Sequence, residues 1–89
     1  MPIALIARDA PNALQTRLDN RPAHLDYLGQ TDAVMHAGPL LGDDEKPCGS
    51  LIILDMDMAE AEAWAANDPY AKAGLFASVE LIRWNKVIG

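Results

Sequence analysis

The chain has 89 residues, half of them apolar and about a fifth charged, a balance that folds throughout and is enough for a single core, so one domain, 1–89, is expected. Thirteen acidic against seven basic residues leave a formal charge of −6, and no stretch gathers Lys and Arg into the stripe that a phosphate backbone requires, which argues against nucleic acid as a partner. Cys48 is the only cysteine, no signal-peptide pattern opens the chain, and no run approaches the ~20 apolar residues of a membrane span; the expectation is a cytoplasmic protein with no internal disulfide, no thiolate metal cluster and no membrane partner.

Pro2 to Arg8 is apolar at both odd and even positions, which predicts a strand buried on two faces. Asp9-Ala-Pro11 reads as an acidic cap and early proline opening a helix. Leu14, Leu18, Arg21, Leu25 and Leu28 then fall on one helical stripe expected to face the core. Pro22 lacks an amide donor, so a break is expected near Asn20-Arg21, with a second helical segment from Pro22 closed by Gly29.

Ala33 to Leu41 has strand character, but Gly38-Pro39 would interrupt a central ladder, which predicts an edge strand or a bulge. Asp43 to Gly49 reads as a polar loop. Leu51 to Leu54 is continuously apolar, like the first strand. Asp57-Met-Ala-Glu60 resembles a capping box and opens a helix of small residues, Ala59, Ala63 and Ala66, around Trp64. That helix ends before Asp68; Asp68-Pro69 starts a short turn that Gly74 terminates, and Ser78 to Val87 forms the last strand.

The order is βαββαβ, an α+β domain of ferredoxin-like type with an antiparallel sheet. In the split βαβ arrangement the first and third strands are central, and here those two are apolar on both faces. Two helices cover only one face of such a sheet. A second copy of the chain is the simplest cover for the other, so a homodimer closing into a barrel is expected.

Three polar residues stand out. Arg21 lies on an otherwise apolar stripe, His24 is one turn further, and Asp68 opens the Asp68-Pro69-Tyr70 turn, which two helices on one sheet can bring close to His24. Each also has a plain structural reading: Asp68 as a helix cap, His24 as a satisfied helix histidine, Arg21 as a partner of Asp19 or Asp26. His36, on an edge strand, reads as exposed, Cys48 as a small loop or strand residue, and Asp43-Asp44-Glu45 lacks the spaced ligands and Gly of a calcium loop. Trp64 and Trp84 read as packing residues, with Trp84 a candidate pocket wall. No metal motif is present.

Taken together, Arg21-Pro22-Ala23-His24-Leu25-Asp26-Tyr27-Leu28, Ala37-Gly38-Pro39-Leu40, Asp68-Pro69-Tyr70-Ala71-Lys72-Ala73-Gly74-Leu75 and the closing Ile82-Arg83-Trp84 resemble the YciI-like (YCII-related) family over nearly the whole chain. That resemblance implies a dimeric α+β barrel and an active-site pair, matched here by His24 and Asp68. It also implies a precedent for dehydrochlorinase-type lyase chemistry on a hydroxylated aromatic.

Imidazole exchanges protons near neutral pH, and a carboxylate on its other ring nitrogen fixes its tautomer. The expected roles are therefore His24 as general base or acid and Asp68 as its orienter. Arg21 would hold an anionic group, and Pro39, Tyr70 and Trp84 would line the cavity. The reaction would be elimination or isomerisation of a small anionic or phenolic compound, without metal or organic cofactor. The rival reading is a noncatalytic ligand-binding or accessory dimer in which the same two residues only brace a helix junction.

Overall fold

The computed structural model describes all 89 residues. In chain order the elements are β1 (Ile3–Asp9), α1 (Leu14–Gly29), β2 (Val34–Leu41), β3 (Pro47–Leu54), α2 (Met58–Asn67), α3 (Pro69–Lys72) and β4 (Phe76–Arg83). The strands form one antiparallel sheet in the order β2-β3-β1-β4. This is the ferredoxin-like α+β arrangement, with β3 and β1 in the centre.

Pairing puts Ile3, Leu5 and Ala7 of β1 on the same face as Ile52 and Leu54 of β3. Those five join Ala61 and Trp64 of α2 in the core. Each large aliphatic side chain buried there contributes roughly 1.5–3 kcal/mol. The other face carries Ile6 opposite Leu51 on β3 and Ala4 opposite Ile82 on β4, with Leu51 40% and Ile82 45% exposed. Two-sided apolar strands thus stand where the alternation placed them.

Several local expectations need correction. The helix opened at Asp9 by the sequence reading begins at Leu14, with no side-chain cap, because the Asp9 carboxylate is taken by Arg17. Asn12, at φ 57°, turns the chain between strand and helix. Pro22 does not break α1, which runs unbroken to Gly29. The carbonyl that loses its donor is that of Leu18, and both Leu18 and Pro22 lie on the exposed side, where an orphaned carbonyl is open to solvent.

The leucine stripe is also about one residue out of phase. Arg17 and His24 are the buried residues of α1, while Leu18 and Leu25 are 48% and 46% exposed. Ala61 and Trp64, not Ala59, Ala63 and Ala66, form the buried side of α2. Finally, β3 starts at Pro47, inside the expected loop, and β4 spans Phe76–Arg83, starting and ending earlier than its alternation indicated.

The ends of α2 and α3 follow local chemistry. Asp57 Oδ1 accepts the Glu60 amide at 2.8 Å to start α2, and Asp68 Oδ1 accepts the Tyr70 amide at 2.9 Å to start α3. Gly74, at φ 72°, ends the turn where most side chains would be strained. α2 lies against β1 and β4, whereas α1 lies beside α3 and meets the sheet less closely. The space left between α1 and β2–β3 is an open cleft.

Candidate functional site

A cavity of about 460 Å³ opens between α1 and the β2–β3 half of the sheet, with Tyr70 of α3 on a third side. Its apolar wall includes Leu18, Leu25 and Leu28 from α1, Pro39 from β2 and Ile52 from β3. Arg17, Arg21, His24, Ser50 and Tyr70 supply the polar groups. A mostly apolar cleft of this size with a few convergent polar groups suits a small organic ligand.

At its centre, Nδ1 of His24 lies 2.8 Å from Oδ1 of Asp68. Both side chains are buried, His24 6% and Asp68 1% exposed. For a neutral imidazole facing an ionised carboxylate, which only accepts, this contact corresponds to the tautomer with its proton on Nδ1 and a lone pair on Nε2 of a cavity-lining ring. The imidazole also stacks on Tyr70, with centroids 3.8 Å apart and planes 13° off parallel. Carboxylate and phenol ring together hold the histidine in one orientation.

The same Oδ1 serves as cap of α3 and as partner of His24. The plain reading of Asp68 as a helix cap is therefore correct and incomplete. Because α1 and α3 lie side by side, two residues 44 positions apart meet at hydrogen-bond distance.

Arg17, which sequence reasoning missed, anchors the other end. Its Nε donates to Asp9 Oδ2 at 2.7 Å, and its Nη2 donates to Asp9 Oδ1 at 2.8 Å and to Ser50 Oγ at 3.0 Å. The guanidinium carbon lies 4.7 Å from the Tyr70 ring centroid, within cation–π range. Burial by itself disfavours the Arg17 charge, but the hydrogen bonds and charge of Asp9 outweigh it and the pKa moves up. Burial likewise raises the Tyr70 pKa, and the opposing charges of Arg17 and Arg21 do not cancel it. Tyr70 stays a neutral phenol at physiological pH.

The available signal for Arg17 was its spacing. It lies seven residues, two helical turns, before His24, and so on the same face. Arg21, in contrast, is exposed on the cavity lining without an ion pair in the chain. Of the other expected wall residues, Pro39 and Tyr70 line the cavity. Trp84 does not: it follows β4, its amide bonded to the Pro2 carbonyl, and β4 is the sheet edge opposite β2. His36 is exposed, as expected, and Cys48 is an exposed residue of β3. No cluster of three or more His, Cys, Asp or Glu side chains is placed to hold a metal ion.

Comparison with known proteins fits this geometry. The 5-chloro-2-hydroxyhydroquinone dehydrochlorinase TftG of Burkholderia phenoliruptrix AC1100, solved with 2,5-dihydroxybenzoquinone, superposes with a TM-score of 0.88 at 38% identity, covering 96% of this chain and 94% of that one. An uncharacterized protein of Haemophilus influenzae is 39% identical over 93% of this chain and 95% of its own length. Protein YciI of Escherichia coli O6:H1 is 33% identical with the same coverage. Residues 1–85 match the YCII-related domain, and the chain belongs to the YCII-related family.

Proposed function

We propose that this protein is a cofactor-free lyase acting on a small hydroxylated aromatic or related anion, with His24 as the proton-transfer residue and Asp68 as its orienter. One observation carries the reading: a buried His–Asp pair at 2.8 Å borders a cavity of about 460 Å³ that is otherwise mainly apolar. A histidine with its Nδ1 proton fixed and its other nitrogen on a ligand-sized cleft is a general base in waiting. The likeness to TftG names the compound class to test first.

On a chlorinated trihydroxybenzene, Nε2 of His24 would take a hydroxyl proton and return it to the carbon bearing chlorine, giving a dienone. A second hydroxyl then loses its proton as the C–Cl bond breaks, so that HCl leaves and a hydroxyquinone remains. Asp68 steadies the imidazolium between the two transfers. Arg21, at the cavity edge, draws in the anion, and Pro39 and Tyr70 bound the ring.

The same reading makes the working unit a cytoplasmic homodimer. The solitary Cys48 suits a reducing compartment. The half-exposed apolar side chains of Leu51 and Ile82 on the face opposite the core support a second copy as its cover.

The test is chloride release from 5-chloro-2-hydroxyhydroquinone by the wild type, His24→Asn and Asp68→Ala. A His24→Asn rate reduced about 10²–10⁴-fold is the outcome expected of a lost general base. Equal chloride release by wild type and His24→Asn would refute the assignment. If both variants only melt earlier and no aromatic ligand protects the wild type, the residues are braces and the protein is not this enzyme.

A further inference from the structure

Asp9 ends the central strand β1 with 7% of its side chain exposed, yet it caps no helix and does not line the cavity beside His24. Strand alternation puts it on the core side with Ile3, Leu5 and Ala7, and the ladder to β4 shifts register between Arg8 and Asp9. A shift of this kind re-aims the side chains at a strand end. Both carboxylate oxygens go to Arg17, one to Nε at 2.7 Å and the other to Nη2 at 2.8 Å. A buried ion pair is a weak source of stability, since well-packed apolar residues often replace it without loss. What this pair does is hold a guanidinium in one place, its carbon 4.7 Å from the Tyr70 ring centroid and its N–H groups hydrogen-bonded to the Tyr70 side chain.

We propose that Asp9 is a positioning residue for His24: through Arg17 and Tyr70 it fixes the plane of the imidazole, which Asp68 alone leaves free to pivot. The inference rests on the proton-transfer reading of the cavity and adds to it a residue outside the cavity lining.

Three contacts in series make the link. Asp68 meets the imidazole at one atom, Nδ1, and a single hydrogen bond sets a distance while leaving rotation about its own axis. The Tyr70 ring removes that rotation by lying 3.8 Å from the imidazole, 13° off parallel. Tyr70 belongs to a helix of only four residues, and its ring is bounded in turn by the guanidinium of Arg17 and by Phe76, edge-on at 6.0 Å. Arg17 is held by Asp9 and, through Nη2, by Ser50 at 3.0 Å. Of these two partners only Asp9 carries the charge that keeps a buried guanidinium in place. Without it the cation is buried and unpaired, and it turns toward water. Its contacts with Tyr70 go with it, and the imidazole loses its backing. Proton transfer is sensitive to such a loss, because hydrogen bonds weaken steeply off line and a misplacement of about 1 Å costs about 10²-fold in rate.

The test joins a ligand-free measurement to a kinetic one, in wild type, Asp9→Asn and the double variant Asp9→Leu/Arg17→Met, which removes the pair without stranding a charge. Stacking on a phenol ring moves the carbon-bound protons of an imidazole upfield, so the His24 proton resonances of the wild type should lie upfield of those of exposed His36. Read at a pH above the titration of both rings, each variant should lose at least half of that displacement. A pair that only braces the fold leaves it intact. In chloride release from 5-chloro-2-hydroxyhydroquinone, kcat of Asp9→Asn should fall about 10²-fold with KM little changed, as for a group that orients the base and does not touch the ligand.

A wild-type displacement of His24 in the folded double variant overturns the proposal, and so does a wild-type kcat in Asp9→Asn. If Asp9→Asn does not fold, the double variant decides. Failure of the lyase reading is distinct: a wild type that releases no chloride refutes that reading, and the His24 displacement alone then settles whether Asp9 orients the ring.

Discussion

Replacing Arg17 by Met tests how the site is held together. Asp9 has 7% of its side chain exposed and takes both of its close contacts, at 2.7 and 2.8 Å, from Arg17. Removing the guanidinium strands that carboxylate in the interior and takes the donor from Ser50, which is 2% exposed. Breaking a buried ion pair from one side costs about 3–5 kcal/mol. A chain of this length holds only about 5–13 kcal/mol in total, so the melting midpoint should fall by about 15–25 °C. Urea titration of Arg17→Met, Asp9→Leu and the double variant gives the coupling. The double variant should recover to within about 1–2 kcal/mol of wild type, the remainder reflecting Ser50 without its donor. A single-variant loss below about 1 kcal/mol, the value of an exposed pair, would refute the reasoning, as would a double variant equal to the sum of the singles.

Thr31→Val should cost about 1–3 kcal/mol by urea titration, because Thr31 Oγ1 accepts the Trp64 indole N–H at 2.9 Å and donates to the Tyr27 carbonyl. Gly49→Ala should destabilise by about 1–3 kcal/mol, since its Cβ would run into the Ala7 carbonyl oxygen of the central strand and sit 3.2 Å from Leu40. Burial, then the charge of Asp68, raises the Tyr27 pKa, and burial raises that of Tyr70, so the folded chain keeps both protons after the unfolded chain has begun to lose them at its ordinary value of 10.0. Stability is thus full below pH 10 and declines above it. In thermal melts from pH 8 to 11 Tyr27→Phe should show a shallower alkaline fall, and an unchanged slope would count against this.

What the residues disclosed on their own divides along physical lines. Unbroken apolarity in Ile3–Ile6 and Leu51–Leu54 marked the two central strands, because apolar residues on both faces of a strand leave their signature at every position. His24 and Asp68 were visible as chemistry at odd places, and a cap at Asp68 with Pro69 behind it is a local rule that the fold obeyed. The phase of α1 was misread because its leucines were assigned to the core, whereas two of them wall a cleft and stay half exposed. The face toward the sheet instead carries Arg17, whose charge is tolerable there only because Asp9 arrives at the end of β1. That pairing spans separate elements, and no single-helix periodicity registers it. Pro22 was misjudged for a related reason: its cost depends on whether the orphaned carbonyl meets water, which is a tertiary property.

The double use of one carboxylate oxygen at Asp68 has an evolutionary side. A Ser, Thr or Asn at this position can still start the short helix, but none presents a carboxylate to His24. Such a descendant would fold, keep its cleft and bind what fits there, with an imidazole no longer committed to one tautomer. Under the proposed proton-transfer role, a single substitution at residue 68 would separate inheritance of the shape from inheritance of the chemistry.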